Sequence, residues 1–131
     1  TTPTTQPAIT ANPLTDPKNI LSKRSVYFDF DSNLVKDEYR GLVQSHAKYM
    51  VEKKDTRIRV EGNCDERGSR EYNLALGQRR AEAVKKVMTV LGVQEGRIET
   101  VSFGEEKPAD PGHDEAAWAK NRRGDIKYAG E

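Results

Sequence analysis

Cysteine is almost missing from this sequence. Cys64 stands alone among 131 residues, so no intramolecular disulfide can form. Histidine is nearly as scarce. His46, His113 and Cys64 are scattered and show no metal-ligand spacing, so neither a metal nor a cofactor is expected. Long apolar runs are missing too. No stretch approaches the roughly 20 residues of a membrane helix, and there is no signal-peptide pattern. The expectation is either a cytosolic protein or a chain that starts after a removed targeting segment. A surplus of one charge is also lacking: 22 basic and 21 acidic residues leave a net charge of +1. That removes the electrostatic case for a nucleic-acid partner. There is no phosphate-cradling loop, since Gly62 and Gly68 lack the Gly-Lys pattern that should follow, and no nucleophile elbow. Asp65, Glu66 and Cys64 could be read as a hydrolytic set, but no base–nucleophile pair joins them. No enzyme is expected.

What is present is one domain's worth of chain, 34% hydrophobic and 33% charged. Four of the six prolines (Pro3, Pro7, Pro13 and Pro17) lie among Thr, Asn and Gln at the start. Residues 1–22 read as a flexible tether, and residues 23–131 as the folded domain. The alternative is a loose arm whose end is anchored by Leu14, Ile20 and Leu21.

Periodicity then alternates between two and 3.6. Val26, Phe28 and Phe30 predict a strand over 26–30. Tyr39, Leu42, Val43, His46, Ala47 and Met50 predict a helix over about 36–53, with His46 as a hydrogen-bonded core histidine. Ile58 and Val60 predict a strand over 57–62 whose other side, with Arg57, Arg59 and Glu61, is wet or lightly covered. Ser69 is a natural N-cap for the next helix, and Gly92 a left-handed C-cap with Val93 beside it. Strands follow at 98–103 and 125–128, with a short helix capped by Asp114 between them. The order β-α-β-α-β-(α)-β, with one wet sheet face, predicts an α/β (α+β) two-layer sandwich with helices on one face.

The stretch from Val60 to Val84 carries the unusual feature. On a helix over 74–91, the residues Leu76, Gly77, Ala81, Val84, Val87, Met88 and Leu91 share one sector. Arg80 falls inside it. A guanidinium enters an apolar sector only with an acidic partner or at the edge of a binding site. The other reading lays its stem on the core and its head in water. Asp65, in the loop before the helix, is the candidate partner or co-ligand. A helix N-terminus with Arg80 and Asp65 suits a zwitterionic amino-acid headgroup, because Asp65 and Glu66 repel a phosphate. A structural ion pair of Asp65 with Arg80 or Arg67 explains the same residues without a ligand. Asn121, Arg122 and Arg123 stay open between a polar strand entry and a ligand role.

GNCDERGSREYNLALGQRRAEAV (62–84), with VYFDFDS (26–32), VSFGEEKP (101–108) and GHDEAAWAKNRR (112–123), resembles the OmpA-like peptidoglycan-binding domains. Within them the likeness is to the peptidoglycan-associated lipoproteins of Gram-negative outer membranes. It covers roughly residues 24–128. It implies a mixed four-stranded sheet with two main helices on one side. It also implies non-catalytic binding of meso-diaminopimelate in the peptidoglycan stem peptide, anchoring the outer membrane to the wall at its periplasmic face. By this resemblance Asp65 holds the ligand's amino end and Arg80 grips its side-chain carboxylate. The backbones of Phe28 and Asp29 face the same carboxylate, and Arg67, Asn73 and Leu76 line the site. The implied partners are the stem peptide, the TolB propeller and TolA.

Three departures stand out. Asn63 replaces a frequent His, and Cys64 a small residue or Thr. The lipid-bearing cysteine is not in this sequence, so a shortened soluble form is expected. Gly124 and Asp125 replace apolar residues, which puts the length of the last strand in doubt.

Overall fold

Two amphipathic helices and four short alternating strands leave one economical arrangement, with both helices on one face of a sheet. A computed structural model describes residues 20–129. Strands β1 (Ser25–Tyr27), β2 (Ile58–Asn63), β3 (Ile98–Gly104) and β4 (Arg123–Tyr128) form a single sheet in the order β1-β4-β2-β3. β2 and β3 run parallel, and the other two pairings are antiparallel. Helices α1 (Asp37–Glu52) and α2 (Arg70–Val90) form the second layer, and α3 (Glu115–Asn121) precedes β4. This is the mixed four-stranded α+β sandwich that alternation and resemblance imply.

The core lies between the layers. Val26, Val60 and Ile126 of the sheet meet Val43 and Met50 of α1 and Ala81, Val84 and Met88 of α2. Each such side chain contributes roughly 1.5–3 kcal/mol when fully buried. His46 sits in this core, with Nδ1 2.6 Å from the Tyr128 hydroxyl and Nε2 2.8 Å from the Lys23 carbonyl. The helix ends follow their sequence signals. Ser69 Oγ accepts from Tyr72 N, and Asp114 accepts from Ala117 N. Gly92 has φ 107°, and Val93 N donates back to the Met88 carbonyl, closing α2 as expected.

The structure corrects several boundaries. β1 stops at Tyr27, not Phe30. Beyond it the Asp29 and Ser32 carbonyls accept from Arg80 instead of extending the ladder, and Phe30 swings out to 58% exposure. β4 begins at Arg123, earlier than expected, and its polar start belongs to the strand. It lies between β1 and β2, so both its edges are paired. Gly124 leaves room for Phe28 and Val84, 3.6 Å from where a Cβ would sit, and Asp125 is bonded by Ser25 and Arg123. Glu61, expected on the wet face, is only 7% exposed and pairs with Arg59 at 2.9 Å. Of the expected tether, residues 1–19 lie outside the described residues. Ile20–Ser22 forms one 3-10 turn, and Leu21 is buried.

Candidate functional site

Two glycines bring the site together. Gly77 of α2 lies directly on Gly62 of β2, so close that a Cβ built on Gly62 overlaps the Gly77 carbonyl. This contact seats the start of α2 on the end of β2, where a bulge at Gly62/Asn63 shifts the register. One turn further along α2, Arg80 meets the end of that strand.

Arg80 is 1% exposed. The reading that sent its head to water is wrong, and so is the one that gave it an acidic partner. Nη1 donates to the Asn63 carbonyl at 3.0 Å, Nη2 to Asp29 at 3.0 Å and Nε to Ser32 at 2.8 Å, with the guanidinium carbon 5.3 Å from the Phe28 ring centre. Three backbone dipoles hold a full positive charge, and two of the five N–H groups remain. Burial lowers the proton affinity of Arg80, but a guanidinium stays charged. Because Asn63 serves through its carbonyl, the departure from His at this position leaves the bond untouched.

Asp65 is also buried, 4% exposed. Arg67 grips it bidentately, Nη2 to Oδ2 at 2.8 Å and Nε to Oδ1 at 3.2 Å, and the Arg67 backbone N–H adds a bond of 2.9 Å. Arg122 approaches Oδ2 at 3.5 Å. The structural Asp65–Arg67 pair is therefore present. Arg67 is itself sandwiched between Phe30 and Trp118, 4.1 and 4.2 Å from the ring centres. Glu66 points elsewhere, accepting from Trp118 Nε1 at 2.8 Å and lying 2.7 Å from His113 Nδ1.

Phe30, Asp65, Arg67, Asn73, Leu76 and Arg80 share one pocket of about 350 Å³. The structure thus brings five of the expected site residues, Asp65, Arg67, Asn73, Leu76 and Arg80, to one opening. Phe28 and Asp29 are not in its wall. Phe28 lies against Arg80, while Asp29 lends Arg80 its carbonyl and pairs its carboxylate with Lys36 at 3.2 Å. Cys64 also lines the pocket, with Sγ donating to the Asn73 carbonyl, and burial pushes its thiol up.

Sequence reasoning left Arg122 open and passed over Trp118. Arg122 is 7% exposed and ties three segments together, with Nε to the Phe28 carbonyl, Nη1 near Asp65 and Nη2 to Glu115. Its signal was two arginines in a row at the entry to a strand. Asn121 accepts from Ala109 N and Asp110 N, which fixes the adjoining loop. Arg70 and Arg79 face outward, and Arg70 pairs with Glu106.

Burial opposes ionisation of Asp65, but the Arg67 side-chain and backbone hydrogen bonds and then Arg122 outweigh it. The carboxyl therefore ionises below the ordinary 3.8. A group depressed in the folded state stabilises fully above its unfolded value and loses that contribution as pH falls through the folded value. The urea midpoint should drop below about pH 4, where free carboxylates titrate. Asp65→Asn should flatten that acid limb. An acid limb of unchanged slope in the variant would remove Asp65 from it.

The family is now readable from more than one direction. The sequence profile of the OmpA family matches residues 27–122. The chain belongs to the OmpA family. A peptidoglycan-associated lipoprotein of Pasteurella multocida is 53% identical over 104 residues, covering 79% of this chain and 69% of that protein. One from Haemophilus influenzae is 52% identical over 104 residues, covering 79% and 68%. The crystal structure of a peptidoglycan-associated lipoprotein from Burkholderia pseudomallei superposes with TM-score 0.87 at 56% identity, over 89% of this chain and 99% of that one. The C-terminal domain of Helicobacter pylori MotB shares the OmpA-family fold at TM-score 0.74 and 23% identity, over 83% of this chain and 86% of that one.

Proposed function

We propose that this chain binds the peptide stem of peptidoglycan, non-covalently and through meso-diaminopimelate. It would thereby anchor an outer membrane to the cell wall from the periplasmic side. The observation that carries this reading is a fully buried cation that bonds no carboxylate among the described residues, at a pocket that a buried anion also lines. A guanidinium bonded to backbone carbonyls, with two remaining N–H groups, is a receptor for a carboxylate. The N-terminal end of α2 adds a partial positive charge, since Tyr72 and Asn73 of its first turn line the same opening. Asp65 takes the ligand's ammonium. Its oxygens already accept three bonds from Arg67, so the ammonium must share or displace that guanidinium. Asn73 and Leu76 line the opening, and Phe28 and Asp29 support Arg80. The likeness to peptidoglycan-associated lipoproteins supports the ligand class. Nothing in this arrangement calls for a bond to be made or broken.

Calorimetry with a stem peptide containing diaminopimelate tests the proposal. Amidating the diaminopimelate side-chain carboxyl should remove binding, because a neutral amide cannot offset the Arg80 charge. Equal affinity for both peptides would sink the assignment.

A second role has a separate observation behind it. Phe30 and Tyr72 stand 58% and 42% exposed at the pocket rim, an apolar mouth suited to a protein partner. TolB is the partner proposed for it, with TolA in the same Tol–Pal assembly. Stem peptide should then displace TolB in a pull-down, and simultaneous binding would place the two on different surfaces.

A further inference from the structure

We propose that the open face of the sheet is a second binding surface, one that takes an acidic, extended segment of a partner protein. This face lies away from the helices and holds a groove of about 1020 Å³ that shares no residue with the Arg80 pocket.

Three observations point to an anionic occupant. Seven arginine and lysine side chains line the groove against three carboxylates, in a chain whose net charge is only +1. The positive charge is concentrated here, and the rest of the chain is net acidic. Next, Arg59 of β2 and Lys127 of β4 stand directly opposite each other across the ladder. Like charges in that position repel. Arg59 has Glu61, but Lys127 has no carboxylate partner among the described residues. Last, Arg123 donates from Nε to Asp125 and from Nη2 to the Lys107 carbonyl, yet its Nη1 is buried with no acceptor among the described residues. Buried donors are nearly always paired, so Nη1 has a bond to offer an occupant if the Arg123 side chain turns into the groove.

The layout selects the class of partner. Arg57 and Arg59 come from β2 and its approach, Arg123 and Lys127 from β4, and Lys107 from the loop after β3. Neighbouring strands lie about 4.8 Å apart and alternate residues about 6.7 Å apart along a strand. That spacing suits carboxylates repeated along a chain better than one compact headgroup. A planar lipid surface cannot reach the floor of a groove. A net charge of only +1 gives no electrostatic case for a phosphate backbone. Residues 1–19 hold a single carboxylate, Asp16, so their composition is not that of an acidic segment.

Amide NMR of the full chain with a hexaglutamate peptide near physiological salt tests this. Shifts should fall on residues 57–61 and 123–127 and spare 63–80. Lys127→Glu and Arg59→Glu, both at solvent-facing positions, should each weaken hexaglutamate at least tenfold and leave stem-peptide affinity unchanged. The proposal is overturned if hexaglutamate gives no shifts, or shifts only around Arg80, or if both variants bind it as well as the parent. Preferential binding of phosphatidylglycerol vesicles through the same residues would overturn the choice of a protein partner.

Discussion

Arg80→Ala is expected to lower affinity for a diaminopimelate stem peptide by one to two orders of magnitude. One charged hydrogen-bonding partner is worth about 1.5–3 kcal/mol, and each 1.4 kcal/mol is about tenfold. The loss has two sources. The variant removes the cation that the ligand's carboxylate would meet. It also releases the Asp29–Ser32 loop, because the carbonyls of Asp29, Ser32 and Asn63 lose their donor together. A fall in stability should therefore accompany the fall in affinity, about 1–3 kcal/mol for each carbonyl left buried and unsatisfied. Arg80→Lys separates the two effects. It keeps the charge but presents one ammonium where three carbonyls wait on a planar fork, so it should bind with intermediate affinity. Calorimetry paired with urea unfolding reads both quantities. Parental affinity in a folded Arg80→Ala protein would reject the anchoring role.

Gly62→Ala is expected to be the most damaging single-methyl change in the domain. The new Cβ would overlap the Gly77 carbonyl, and backbone cannot rotate away as a side chain can. Overpacking usually costs about 1–3 kcal/mol, and a backbone–backbone collision belongs at or above the top of that range. Gly77→Ala should behave similarly, since its Cβ would strike Ser102 Oγ and sit 3.0 Å from the Gly62 carbonyl. Gly41 is the control. It lies in α1 with nothing within 4 Å of a built Cβ, so Gly41→Ala should gain about 0.5–1 kcal/mol from helix propensity. Urea midpoints measure all three. The Gly62 variant should also lose stem-peptide binding out of proportion to its unfolded fraction, because lifting α2 draws Arg80 away from Asn63. A Gly62→Ala protein of parental stability would mean that helix and strand are not in contact there.

Much of this molecule was legible along the chain because periodicity reports which side chains share a face. The stripe of Leu42, Val43, His46, Ala47 and Met50 is buried as its spacing required. Ser69, Gly92 and Asp114 mark helix ends because a cap acts on groups only a few residues away. The anomaly at Arg80 was visible for the same reason: a cation in an oily sector is a contradiction that one helix displays unaided.

How that contradiction is resolved could be decided only in three dimensions. Arg80 bonds carbonyls 48 and 51 residues away, and every residue has a carbonyl, so no residue type announces such a partner. Asp65 could have paired with either arginine. Arg67 has it because Phe30 and Trp118, from distant segments, clamp the Arg67 guanidinium in place. β1 ends early for a related reason, since the carbonyls after it bond arginine side chains, that of Phe28 to Arg122 and that of Asp29 to Arg80. Local spacing tells a side chain which layer it belongs to, but the partner of a buried charge depends on which segments the packed layers bring together.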